Sequence, residues 1–349
     1  MFGPVSDLVP STPIFEMYPI GFSILSEYLE RFGYKARVVN IALWMLKEKR
    51  FDPEKFISRL SSPLVFGIDL HWLPHAHGSL ELAKILKKYH PHTPILFGGF
   101  SSTYFHEELI KYPEVDFVLK GDSTEEPLRM LIESLKKGSK DFSHIPNLSW
   151  KDSSGAVHSN PIEYVPDSLE HINLDYSHVM RSVVRYRDLT SYIPFINWWE
   201  YPIVAALSCR GCTKNCATCG GSSFTFQNFY GRERIAMRPP ELLARDVIRI
   251  TNYMRSPIFI LGDLRQGGEG YARIFLKSLK DAKVTNEVAL EFFTPPPPGF
   301  FKVVSDSLPN WSLEISLETH DEVLRERFGK ASFTHDELVI SLKAAFKYG

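Results

Sequence analysis

The sequence predicts an α/β protein made of two successive parallel-sheet segments, on three observations. Between Tyr18 and Gly138, short apolar runs alternate with amphipathic helical stretches bounded by Gly and Pro. From Tyr201 a second series of the same kind begins, and all four cysteines fall within eleven positions, Cys209 to Cys219, directly after its first strand. Alternation of strand and helix implies parallel pairing, because parallel neighbours need a crossover, usually a helix. The chain reads as an α/β domain over 1–138, a connector over 139–200 and a second α/β domain over 201–349.

In the first domain, residues 21–32 place Ile24, Leu25, Tyr28, Leu29 and Phe32 on one helical stripe, and Gly33 follows as a stop. Strands are predicted at Ala36–Ile41, Leu64–Ile68, Ile95–Phe97 and Val115–Leu119, with none before Tyr18. Their continuous apolar character suits a sheet covered on both faces. Helices are predicted at 79–90, capped by Ser79, and at 127–137, opened by Pro127 and closed by Gly138. The result is a doubly wound half-sheet, whose ligand loops gather at the carboxyl ends of the strands. Gly98-Gly99-Phe100-Ser101-Ser102 and Gly121-Asp122-Ser123-Thr124 are the loops in that position.

The connector holds a hairpin, Leu148–Lys151 and Ala156–His158 around Asp152-Ser153-Ser154-Gly155, and then Tyr176, Tyr186, Tyr192, Trp198 and Trp199, read as aromatic glue between domains. The second domain is predicted as strands 203–207, 258–261, 288–293 and 313–317 with helices near 239–255, 270–282, 300–307 and 334–348. Thr334 and Glu337 form a capping box on the last helix. Four βα units with a cysteine loop after the first strand predict a barrel with its chemistry at the strands' carboxyl ends.

Composition narrows the function classes. A net charge of -1 gives no global attraction for nucleic acid, and Arg232, Arg234, Arg238, Arg245 and Arg249 read as a solvated helix face. No apolar run approaches the roughly 18–20 residues that span a bilayer, and the first twenty residues lack a signal-peptide pattern. The expectation is a cytoplasmic protein with no membrane partner.

The cysteines admit three centres: structural zinc, a redox dithiol or an iron-sulfur cluster. Zinc held by four cysteines usually needs two knuckles separated by a longer loop than the three residues between Cys212 and Cys216. A dithiol needs one Cys-x-x-Cys at a helix start and no further thiols.

Cys212-x-x-x-Cys216-x-x-Cys219 resembles the signature of the radical S-adenosylmethionine family. The resemblance implies a [4Fe-4S] cluster held by Cys212, Cys216 and Cys219, with an open iron for S-adenosylmethionine, which is cleaved reductively to a 5'-deoxyadenosyl radical. It leaves Cys209 a structural residue. Gly262-Asp263 stands where the family meets the methionine amine, and a literal Gly267-Gly268-Glu269 follows it. Ser316-Leu317-Glu318, with Gly329-Lys330 downstream, is similar to the family's strand end that contacts the cofactor through Ser316 and Glu318. Thr218 departs from the family pattern, which commonly has an aromatic there to pack on adenine.

The first domain likewise resembles the cobalamin-binding domain fused to such enzymes, with Gly98, Gly99 and Gly121 at the family's cofactor loops. Asp69-Leu70-His71-Trp72-Leu73-Pro74 is similar to a loop that supplies histidine to cobalt in other cobalamin proteins, but Pro74 replaces its glycine, so His71, His75 and His77 read as surface or loop histidines. The family barrel carries more βα units than the four read here, so a partial barrel, truncated after the fourth, is expected. The implied activity is a cobalamin-dependent methyltransferase with an external electron donor and an unknown substrate. Alternatives are a radical cyclase or oxidoreductase with a vestigial cobalamin domain, and a zinc-stabilised binding module.

Overall fold

The structure is a computed structural model describing residues 20–174 and 176–349. It divides into two compact units. The first holds the described residues up to Val165 with Ser177–Trp199 and Phe229–Gly231; the second holds Pro166–Tyr176, Glu200–Asn228 and Arg232–Gly349.

The first unit is a five-stranded sheet in the order β1 (Phe66–Asp69), β2 (Ile95–Gly98), β3 (Phe117–Leu119), β4 (Leu148–Lys151), β5 (Val157–Ser159). β1, β2 and β3 are parallel; β4 and β5 add antiparallel strands. The connector hairpin therefore extends the first sheet. Side chains alternate between two buried faces. Phe66, Ile68, Ile95, Phe97 and Val118 pack with Leu82, Ala83 and Leu86 on one side. Leu96, Phe117, Leu119, Leu148 and Trp150 pack with Leu29, Leu128, Leu131 and Ile132 on the other. Each such apolar side chain taken fully out of water contributes about 1.5–3 kcal/mol, which is why β2 and β3 are apolar on both faces.

The helix Ile20–Arg31 buries Ile24 and Leu29, and Gly33, at φ +78, receives the chain in the left-handed region as its stop. Phe32 lies beyond the last turn and is 50% exposed, so it is not on the buried stripe. The predicted strand Ala36–Ile41 is corrected: Val39 occupies a β-bridge, and Ile41 opens the helix Ile41–Lys47 because Asn40 Oδ1 accepts from Leu43 N at 3.0 Å. A second correction concerns Ser79. The helix runs Ala76–Tyr89, so Ser79 lies within it and its hydroxyl donates to Asp69 O at 3.2 Å. Pro127 sits in the third position of the helix Glu125–Lys136, where a missing N–H still costs no intrahelical bond. The expectation about strands before Tyr18 lies outside the described residues. Tyr186, Tyr192, Trp198 and Trp199 belong to the first unit and Tyr176 to the second; Tyr192 and Trp198 are buried, whereas Trp199 is 59% exposed.

In the second unit β6 (Val204–Leu207) is followed by the short strands β7 (Cys209–Arg210) and β8 (Ala236–Met237), which pair antiparallel. Then come β9 (Ile258–Leu261), β10 (Val288–Phe292) and β11 (Trp311–Ile315). β6, β9, β10 and β11 form one all-parallel sheet in sequential order. The helices Pro240–Thr251, Glu269–Asp281, Pro298–Ser305 and His335–Tyr348 follow the four strands. Thr334 and Glu337 make both reciprocal bonds of the capping box. Leu243, Val247, Phe275, Leu279, Phe301 and Val304 are buried. Arg232 and Arg238 are also buried, against the reading of a solvated arginine face. Arg238 is ion-paired to the equally buried Asp246 and donates to Leu169 O at 2.7 Å; Arg232 donates to Pro166 O at 2.9 Å. Among the described residues no helix is long and apolar enough to cross a membrane.

Candidate metal and cofactor site

β6 delivers the chain to the carboxyl end of the parallel sheet, where Ser208 Oγ bonds to Leu261 O of β9. Cys209 pairs with Met237 across β7 and β8. Gly211, at φ +94, turns the chain into the cysteine loop where a Cβ would stand 2.9 Å from Arg232 Cδ. Within the loop, Lys214 N donates to Cys212 Sγ and Gly221 N to Cys219 Sγ, each at 3.3 Å. Ser223 N returns to Lys214 O at 2.8 Å and closes the loop on itself.

A second segment pins the loop from outside. Ala217 N donates to Phe328 O at 2.8 Å and Asn215 N to Gly329 O at 3.3 Å, so both main-chain bonds flank Cys216. Gly329 lies at φ +77, and a Cβ there would stand 2.2 Å from Asn215 O. Only glycine permits this approach. Gln266 supplies a third tie: its Oε1 accepts from Thr213 N at 3.0 Å and Thr213 Oγ1 at 2.9 Å, and its Nε2 approaches Cys209 Sγ at 3.8 Å.

All four thiols are free. Burial pushes Cys209 up to about 12. Burial also raises Cys212 and Cys216; neighbouring thiolates add to this, and Lys330 opposes it at both. Thiolates that raise one another's pKa are stabilised by a cationic centre among them, and metal binding takes up their protons' place. Three soft donors on one loop, two of them accepting backbone N–H bonds, fit an iron-sulfur cluster as a donor set. Among the described residues no three His, Cys, Asp or Glu side chains form a group for a single ion.

The residues facing the loop differ in role. Gly262, at φ +89, ends β9 where a Cβ would stand 2.9 Å from Cys209 Sγ, so its glycine serves the packing of Cys209. Asp263 is buried with its carboxylate fully used: Oδ1 accepts from Arg265 N and Nε, and Oδ2 from Arg265 Nη2 at 2.6 Å and Phe293 N at 3.0 Å. Glu291 of β10 supplies an inward carboxylate instead. Its Oε2 accepts from Gly262 N at 2.8 Å, and burial raises its pKa. Gly267-Gly268-Glu269 starts a helix, and Glu269 pairs with Arg273 on its surface. Ser316 N continues the β10 ladder by donating to Phe292 O at 3.1 Å. Glu318, at φ +63, holds Lys330 Nζ at 2.9 Å, and that ammonium lies 5.1 Å from the centre of the Phe293 ring. Thr218 is exposed.

Cys212, Cys216, Ser316, Glu318 and Gly262 thus gather at one end of the sheet. Glu291 and Gln266 escaped the sequence reading. The available signal for Glu291 was a charged residue at an inward position of an apolar strand; for Gln266 there was none, since its contact is made by folding.

In the first unit Gly99, at φ +110, lies against backbone: a Cβ would stand 2.8 Å from His71 N and from Leu70 O. Gly98 is open, with nothing within 4 Å of a Cβ. The Ser101 and Ser102 hydroxyls are spent on His71 O and Gly98 O. Gly121 N donates to Thr103 Oγ1 at 3.0 Å, beside the buried Asn147. His71 is a half-buried loop histidine after β1. Its ring stacks on Phe100 at 4.5 Å, and burial, with His75 nearby, lowers its pKa.

Residues 9–129 match the B12 binding domain family, and the chain as a whole has the fold of cobalamin-dependent radical S-adenosylmethionine enzymes. Cytidylyl-2-hydroxyethylphosphonate methyltransferase of Streptomyces wedmorensis is 23% identical over 314 residues, covering 80% of this chain and 56% of that protein. The radical S-adenosylmethionine methyltransferase TsrM of Kitasatospora setae, solved with cobalamin and a [4Fe-4S] cluster, superposes with a TM-score of 0.72 at 13% identity, covering 100% of this chain and 67% of that one. The cobalamin-dependent S-adenosylmethionine radical enzyme OxsB, solved with aqua-cobalamin, gives a TM-score of 0.71 at 15% identity over 100% of this chain and 48% of that one. The chain spans a little over half the length of the curated relative it matches.

Proposed function

We propose that the protein is a radical S-adenosylmethionine enzyme and a cobalamin-dependent methyltransferase, acting on an unactivated carbon or phosphorus centre. Cys212, Cys216 and Cys219 hold a [4Fe-4S] cluster. Gly262, Ser316 and Glu318 meet the polar groups of S-adenosylmethionine, with Asp263 shaping the turn, and Gly98, Gly99 and Gly121 line the cobalamin loops. The observation that carries the reading is the pinned loop: three free thiols at the carboxyl end of a parallel sheet, held from outside by the main chain of Phe328 and Gly329. The cobalamin-binding family match over residues 9–129 and a methyltransferase among the relatives support it. When bound, the cluster supplies one electron for reductive cleavage of the sulfonium, and cobalamin carries a methyl group.

The chain's own part is to position these groups. The inward row of β6, β9, β10 and β11 is read as part of a radical S-adenosylmethionine barrel over 201–349, joined by 139–200 to the cobalamin domain over 1–138. Partners are an external one-electron donor and a substrate not yet identified. Free thiols fit a reducing cytoplasm.

Anaerobic reconstitution tests the reading. The protein is expected to take up about four irons per chain, with sulfide to match. The combined change Cys212→Ala, Cys216→Ala and Cys219→Ala is expected to abolish uptake, and iron retained in full by that variant, or one zinc in place of iron, refutes the assignment. Titration with hydroxocobalamin tests the second cofactor, and absence of binding removes the methyl-carrier role.

A further inference from the structure

Lys330 is a buried ammonium placed by the same segment that pins the cysteine loop. It is 6% exposed, follows Gly329 directly, and holds Glu318 Oε1 at 2.9 Å from a position over the Phe293 ring. Its neighbour Gly329 accepts from Asn215 N, next to Cys216, which anchors the Lys330 backbone beside the cysteine loop. Gly329 stands so close to the loop that a Cβ there would lie 3.7 Å from Cys216 N, and Glu318, 31% exposed, sets the opposite charge beside Lys330. Glu291 also lies within reach of Lys330 but makes no ion pair with it. A fixed charge at the sheet end, screened little by water, acts strongly on any group that changes charge beside it.

We propose that Lys330 and Glu318 act as an opposed pair of positioning charges that set the reduction potential of the cluster held by the loop. This rests on the reading of Cys212, Cys216 and Cys219 as cluster ligands. One-electron reduction adds negative charge to a centre already bound by thiolates. A nearby buried cation favours the reduced form, and an adjacent carboxylate disfavours it. The pair thereby controls how readily an external one-electron donor reduces the site, and any ligand that engages Glu318 alters that balance.

The test is a mediated redox titration of the anaerobically reconstituted chain, followed by electron paramagnetic resonance, on the native protein and on Lys330→Met, Lys330→Arg and Glu318→Gln. Methionine keeps the apolar stem over Phe293 without its charge; arginine restores the charge. The expected result is a lower potential for Lys330→Met, a higher one for Glu318→Gln, and a near-native value for Lys330→Arg. Shifts of opposite sign are not produced by loosened packing, which moves both variants the same way. Native potentials in Lys330→Met and Glu318→Gln, or shifts of one sign in both, overturn the proposal. Iron and sulfide content, measured on the same samples, separates the outcomes: failure of the native chain to build a cluster counts against the functional reading, whereas a full cluster with unmoved potential counts against the charge pair alone.

Discussion

Gly329→Ala is the sharpest perturbation available to the cysteine loop. The new Cβ would stand 2.2 Å from Asn215 O and 3.0 Å from Asn215 C, so the two segments must part. A side chain at φ +77 also enters the left-handed region. The left-handed conformation costs about 1–2 kcal/mol. Parting forfeits the bonds Asn215 N to Gly329 O and Ala217 N to Phe328 O, each worth about 0.5–1.5 kcal/mol. The expected loss is about 2–5 kcal/mol, a large share of the roughly 5–15 kcal/mol that holds a domain folded. Gly33→Ala is the control, because Gly33 has the same backbone sign at φ +78 and nothing within 4 Å of a Cβ. It is expected to cost only the conformational part, about 1–2 kcal/mol. The assays are denaturant unfolding and iron uptake on reconstitution. Gly329→Ala should lower both, Gly33→Ala only the first, and slightly. Native stability and iron uptake in Gly329→Ala would refute the claim that this contact positions the cysteines.

Three further outcomes are expected. With its pKa pushed up to about 12, Cys209 should resist iodoacetamide at pH 8 in the folded, metal-free chain, since roughly one thiol in ten thousand is then thiolate; rapid labelling of Cys209 detected by mass spectrometry contradicts its burial. Cys209→Ser should leave iron uptake near native, because the residue packs on Gly262 and Gln266 outside the three-thiol set; loss of the cluster would make it a ligand. At the hairpin turn, Asp152 is held well below the usual carboxylate range, first by His158, then by the Ser154 hydroxyl and the N–H groups of Ser154 and Ala156. A depressed carboxylate stabilises the turn above its ordinary pKa, about 3.9, and that contribution fades as pH falls toward the folded value. A carboxyl titration of Asp152 by NMR with a midpoint at or above the ordinary value would contradict the geometry.

Local signals were enough wherever one physical rule acted alone. The apolar runs of β2 and β9 are legible because strands buried on both faces leave no room for polar alternation, and Thr334 with Glu337 marks a helix start through bonds made within four residues. The cysteine spacing names its loop for the same reason. Ala36–Ile41 misled because its apolar letters suit a strand, while Asn40, through one side-chain bond to Leu43 N, starts a helix instead. Arg238 misled because its partners, Asp246 and Leu169 O, are joined to it only by folding.

By itself the sequence determined the alternation of strands and helices and the cysteine loop, since each follows from near neighbours along the chain. Tertiary structure alone decided that Asp263 is consumed by Arg265 and Phe293, that Glu291 and Gln266 enter the site, and that Phe328, Gly329 and Lys330 clamp and charge a loop more than a hundred residues earlier. The physical reason is that hydrogen bonds and buried charges depend on distance in space, which parallel strands with helical crossovers set between segments far apart in sequence.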